Sequence, residues 1–351
     1  MHIGIDVGGS KIEIIVIDSS GDELCRQRIL APLGSYKKTL AAINDLVAEA
    51  EANFCRAQSI GIGIPGSICT HTQRVQNSNS TWINGQFFKR DIEQLLSRQI
   101  EVENDANCFV LSESTDGAAV NSESVFGVIL GTGCGGGLWM NGALVVGANG
   151  LGGEWGHNPL PFPTFFASHS HEAEQSILLD HFDGVDSKAD HDRVKPSKIY
   201  AHKEAIFHQV DSIDACEYPG PLCYCGKRGC IESWISGTGF MNDYERLYKH
   251  HLPAPEIIHL AKRGKTEALA ILNRYYERVA KSLAQVINVI DPEVIVLGGG
   301  MSNIDELYTE VPKRWHKYIF STQSETKLVK AIHGDSSGVR GAAFLFRRKF
   351  Q

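Results

Sequence analysis

The chain has 351 residues, long enough for two compact domains. Its 34 Lys and Arg against 41 Asp and Glu leave a formal charge of −7, which argues against a nucleic-acid binder, because that affinity rests on cationic side chains. Hydrophobic residues at 42% and charged ones at 21% fit an ordinary globular protein, no apolar run is long enough to cross a bilayer, and the N-terminus MHIGIDVGGSK lacks the regions of a secretory signal.

Residues 2–8 (HIGIDVG) predict a buried strand, 11–18 (KIEIIVID) a second, and the Ser-Ser-Gly-Asp turn at 19–22 leads into a third over about 23–29. Leu40, Ile43, Val47, Ala50 and Phe54 then recur at helical spacing. A strand at 59–64 ends in Pro65-Gly66, and another at 99–103 ends at Asn104-Asp105. The pattern partly repeats: the strand at 124–130 runs into Gly131-Thr132-Gly133, and a hairpin follows with its turn at Asn141-Gly142. Strand, Gly-rich turn and hairpin thus occur twice, which suggests two related α/β halves.

Residues 162–216 change character, with six of the fourteen His and little periodicity. Such a stretch inside a compact domain reads as an insertion, partly helical at about 171–180 and 198–209, and serving as a solvated flap or as a lid. A long amphipathic helix spans about 266–290 and is stopped by Asp291-Pro292. The strand Val294–Leu297 follows and closes in Gly298-Gly299-Gly300, and a last helix is expected over about 337–348.

Three groups of residues could carry chemistry. In Asp6-Val7-Gly8-Gly9-Ser10-Lys11 a carboxylate ends a strand and two glycines turn the chain, so backbone N–H groups can face an anion. Alone this is an ordinary turn and not a P-loop. Paired with Gly131-Thr132-Gly133 in the second half it could grip a polyphosphate from two sides, with Gly298-Gly299-Gly300 as a third close-approach surface. Asp105, at the carboxyl end of a strand, could cap a helix or accept a proton from a hydroxyl attacking a γ-phosphate. Finally, Cys223, Cys225 and Cys230 in a Gly-rich knuckle supply three thiolates for a tetrahedral zinc site. The fourth ligand must come from afar; His157 is one candidate among fourteen His, and spacing does not choose it. A disulfide is disfavoured, since nine Cys without a secretory signal suggest reduced thiols in a cytoplasmic protein.

Taken together, IGIDVGGSKIEI (3–14), GIGIPGS (61–67), Glu103 to Asn107, LGTGCGGG (130–137), GGEWGHNPLP (152–161), CYCGKRGCIESWISGTG (223–239) and VIVLGGGMSN (294–303) resemble the ROK family of sugar kinases and repressors. The resemblance spans nearly the whole chain. With NSNSTWINGQ at 77–86 it looks most similar to the bacterial fructokinase or mannokinase branch, with the N-acetylglucosamine kinases next. It implies two actin-like (ribonuclease H-like) α/β domains with a cleft between them, divided at 1–118 and 119–336, the helix at 337–351 packing back on the first. It implies Asp105 as general base, and Gly66, Asn104, Glu154, His157 and Glu232 as sugar-binding residues. Asp6, Gly8, Gly9, Ser10, Lys11, Gly131, Thr132 and Gly133 would hold the phosphates of ATP with Mg2+, and Gly298, Gly299 and Gly300 the adenosine. His157 would join Cys223, Cys225 and Cys230 around a structural Zn2+. The expected activity is ATP-dependent phosphorylation of a hexose, foremost fructose at O6, with N-acetylglucosamine, N-acetylmannosamine, glucose or mannose as alternatives. A homodimer is expected, with neither nucleic acid nor membrane as partner. A repressor of the same family would need a helix-turn-helix ahead of the first strand, and that strand starts at residue 2. The departure from the family is the insertion at 162–216.

Overall fold

The computed structural model describes residues 1–166, 209–210, 216–321 and 323–346. The first half carries strands β1 (His2–Val7), β2 (Lys11–Ile17) and β3 (Glu23–Leu30), helix α1 (Tyr36–Asn53), strand β4 (Ser59–Ile64), helix α2 (Phe88–Leu96), strand β5 (Glu101–Asn104) and helix α3 (Asp105–Thr115). The second carries β6 (Ser124–Leu130), β7 (Cys134–Met140), β8 (Ala143–Leu144), α4 (Glu232–Ile235), α5 (Gly237–Tyr248), α6 (Ala254–Lys262), α7 (Thr266–Ile290), β9 (Val294–Gly298), α8 (Leu307–Trp315), β10 (Lys327–Lys330) and α9 (Ser337–Phe344).

The two five-stranded sheets have one topology. The first runs β3-β2-β1-β4-β5 and the second β8-β7-β6-β9-β10, each an antiparallel meander extended by two parallel strands. The repeat legible in the sequence is therefore a repeat of fold. The hairpin turn between β7 and β8 holds Asn141 at φ 51° and Gly142 at φ 79°, as a tight two-residue turn requires.

Helices α3 and α9 lie between the sheets, and missing side chains let them in. A Cβ on Gly61 of β4 would sit 1.9 Å from the Ala342 carbonyl oxygen of α9. A Cβ on Gly137 of β7 would sit 2.6 Å from the Ala106 carbonyl of α3. The helices cross where Gly341 meets Cys108, at 1.7 Å for an added Cβ. The buried Glu113 carboxylate of α3 locks the crossing: it accepts from Ile332 N, His333 N and the Ser337 hydroxyl.

The predicted strands and long helices appear within a few residues of their expected bounds. The strand expected at 99–103 is Glu101–Asn104. The last helix ends at Phe344 and continues as one 3-10 turn to Phe346; residues 347–351 lie outside the described residues. The helical stretch expected at 171–180 also lies outside them, as does 198–208. Gln209, the end of that second stretch, is instead extended: Gln209–Val210 pairs in parallel with Phe165–Phe166. None of the nine Cys forms a disulfide, and no described helix is long and apolar enough to cross a membrane.

Candidate active site

Asp105 is the first residue of α3, directly after strand β5. Asn104 caps the helix, its Oδ1 accepting from Ala106 N and Asn107 N, while its Nδ2 donates to the Gly66 carbonyl at 2.9 Å. The cap that the sequence offered at Asp105 falls to Asn104; the Asp105 carboxylate begins the helix and its Oδ1 accepts from Ala106 N at 2.8 Å. Gly66 sits at φ 77°, and a Cβ there would lie 2.3 Å from the Gln76 carbonyl, so the turn that meets Asn104 needs glycine. Glu103 fixes the arrangement from behind, its Oε1 accepting from Asn104 N and Asn107 Nδ2.

Desolvation raises the Asp105 carboxyl to about 6, against the Ala106 N–H and with the help of the Glu154 charge. A second carboxylate, Asp6, stands at the end of β1. Desolvation raises it to about 7, and the Asp105 charge adds to the rise. Lys11 opposes it, and Lys11 Nζ also lies 3.8 Å from the Oε2 of the buried Glu13 carboxylate, the oxygen that Arg28 binds too. Burial likewise raises Glu154; His157 lowers it and Glu232 raises it. Charge effects thus run pairwise from Asp6 to Asp105, from Asp105 to Glu154, and from Glu154 to His157 and Glu232. A carboxylate held near neutrality is suited to take a proton.

The Gly-rich turns divide between the halves. Gly299 at φ 80° presses on the other turn, an added Cβ lying 2.6 Å from the Leu130 carbonyl carbon and 3.0 Å from Gly131 N. Glu232 Oε2 accepts from Cys134 N, and a Cβ on Gly133 would lie 2.7 Å from that oxygen. Thr132 is exposed, and nothing stands within 4 Å of a Cβ added to Gly131 or Gly300. In the first half Gly8 N donates to Lys11 O to close the turn, and Gly9 and Ser10 are exposed.

The knuckle gathers its ligands. Leu160 N donates to Gly229 O and Ile231 N to Asn158 O, which lays the 157–160 segment against residues 229–231. His157 Nδ1 then lies 3.6 Å from Cys223 Sγ, and Cys225 Sγ lies 3.6 Å from Cys230 Sγ. The ligand atoms of His157, Cys223, Cys225 and Cys230 all lie within 4.8 Å of one another, the one such group among the described residues. A tetrahedral ion ~2.3 Å from each sulfur separates two of them by ~3.8 Å, so the set fits zinc.

Sequence reasoning missed several neighbours. Asn79 and Ser80 stand over the first phosphate-type turn, 4.0 and 3.7 Å from a Cβ built on Gly9, and Ser80 is buried with an unpartnered hydroxyl. Tyr224 bonds His157. The Asn-Ser-Asn-Ser run was the only sequence signal for the first pair.

A family model described as the ROK family matches residues 2–349. The chain belongs to the ROK family. The N-acetyl-D-glucosamine kinase of Vibrio cholerae serotype O1 is 36% identical to it over 345 residues, 98% of this chain and 99% of that one. The N-acetyl-D-glucosamine kinase of Yersinia pseudotuberculosis serotype O:3 is 35% identical over 348 residues, 98% of each. Among solved structures, the ROK hexokinase of Thermus thermophilus matches with a TM-score of 0.75 at 24% identity over 99% of both chains, a likeness of fold. The family and the actin-like α/β fold expected from the sequence are met. The fructokinase branch is not the one that these curated relatives are named for.

Proposed function

We propose that this ROK protein is an ATP-dependent hexose kinase with Asp105 as its general base. The observation that carries this reading is a carboxylate at the start of α3, oriented by its capping neighbour Asn104 and raised to about 6. At neutral pH it is ionised and still a competent base. The sugar hydroxyl gives its proton to Asp105, its oxygen bonds the γ-phosphorus, and the bond from that phosphorus to ADP breaks. Bound Mg2+ supplies charge neutralisation on the phosphates. Asp6, Gly8, Gly9, Ser10, Lys11, Gly131, Thr132 and Gly133 line the phosphate path, and Gly298, Gly299 and Gly300 the adenosine end. Gly66, Asn104, Glu154, His157 and Glu232 hold the sugar. His157, Cys223, Cys225 and Cys230 would hold a zinc ion that braces this side of the sugar site, with no role in phosphoryl transfer.

The names of the full-length relatives favour N-acetyl-D-glucosamine as the sugar. Fructose is the second reading, carried by the resemblance of NSNSTWINGQ at 77–86 to the fructokinase branch. Coupled ADP release across N-acetyl-D-glucosamine, N-acetylmannosamine, fructose, mannose and glucose tests both. One sugar should stand out in kcat/KM; ATP turnover independent of every sugar would contradict the kinase reading.

A further inference from the structure

The Gly-rich turn at residues 131–134 is clamped at both ends by one short segment, residues 232–237. At one end Gly237 N donates to Gly131 O at 2.7 Å. At the other Glu232 Oε2 accepts from Cys134 N at 2.9 Å. Between them the turn closes on itself, Gly131 N donating to Gly133 O at 3.0 Å. The clamp stands on the core: Trp234 and Ile235 are buried, and Ile235 O accepts from the Tyr275 hydroxyl of α7 at 2.9 Å. Cys134 is buried as well, so its N–H without Glu232 would be left unpaired at a cost. Among the described residues only Oε2 of the Glu232 carboxylate is hydrogen-bonded in this way.

We infer that Glu232 is a positioning residue for ATP: its Oε2 fixes the second phosphate turn before any sugar is bound, and its Oε1 is left to the sugar. Holding the sugar alone would give Glu232 no effect on a nucleotide that binds without sugar, so the two roles separate experimentally. The inference rests on the kinase reading, in which Gly131, Thr132 and Gly133 meet the phosphates of ATP.

The test is nucleotide binding without sugar. The Kd for ADP with Mg2+ is measured by calorimetry for wild type, Glu232→Gln and Glu232→Ala, with thermal unfolding as the check of folding. Both variants are neutral at this position, so comparing them cancels the lost charge; Gln keeps an acceptor for Cys134 N and Ala does not. The expected result is ADP bound about 3–10-fold more weakly by Glu232→Ala than by Glu232→Gln, the worth of one hydrogen bond. Equal ADP affinity in the two variants would overturn the inference, whatever either does to sugar binding, and would leave the kinase reading intact. Where Glu232→Ala fails to fold, Glu232→Met, as long as Gln and without the acceptor, takes its place under the same two outcomes. A wild-type protein that binds neither ADP nor ATP with Mg2+ would remove the kinase reading and the inference with it.

Discussion

Replacing Asp105 by Asn should make the protein more stable while it destroys turnover. The folded protein raises this carboxyl from 3.8 to about 6. Between those values the native state binds more protons than the unfolded one, so ionising Asp105 costs stability as pH rises through the window. At about 1.4 kcal/mol for each tenfold change in proton affinity the full cost is about 3 kcal/mol, and sharing with Glu154 reduces the part that Asn recovers to about 1–3 kcal/mol. The amide keeps the oxygen that accepts from Ala106 N at 2.8 Å, so no helix-start bond is lost. Thermal unfolding of ligand-free protein at pH 8 should show a Tm higher by about 1–4 °C in the variant. The gain should fall by about half at pH 5, where the wild-type carboxyl is mostly protonated. A variant no more stable at pH 8, or a gain that grows as pH falls, would refute the claim that Asp105 is held in a desolvated site.

Other outcomes follow from the same geometry. Protein purified without added metal should carry one zinc per chain, and Cys225→Ser should lose it together with sugar affinity; full zinc content in that variant would contradict the ligand set. Glu217 accepts from Arg278 and Lys281 at 2.6 Å, all three buried, and these cations overcome burial to hold its carboxyl near 2. It also pins Thr164 N beside the knuckle, so Glu217→Ala should cost about 3–5 kcal/mol by urea unfolding, whereas a loss below about 1 kcal/mol would show that the cluster is not a clamp.

The strands were legible because half-buried and buried β-runs such as KIEIIVI and SIGIGI end in glycine turns, a local signal. Helix α3 was not, because Ala106 through Ser114 are all buried and an all-round buried helix has no amphipathic period. Strand β10 was missed because KLVK is four residues with only Leu328 buried. Asp105 was legible as a carboxylate at a strand end, but its raised proton affinity comes first from burial in the folded chain and then from Glu154, 49 positions away. The knuckle's three thiols stood out by spacing, whereas the choice of His157 is tertiary, made by the pairing of 157–160 with 229–231. Glu113 gave no sequence signal, since its partners Ile332, His333 and Ser337 lie over two hundred positions away.

The central claim is that Asp105 removes the proton of a sugar hydroxyl during phosphoryl transfer from ATP. The direct measurement is kcat and kcat/KM against pH for wild type and Asp105→Asn with the best sugar, beside the sugar Kd by calorimetry. Wild-type kcat/KM should fall below a limb near pH 6, the value to which the site raises this carboxyl. The variant should lose about 10²–10⁴-fold in kcat. It should also lose the limb, with the sugar Kd changed only a few-fold. Turnover near wild type in a folded Asp105→Asn protein, or a limb that persists unchanged in it, would contradict the assignment.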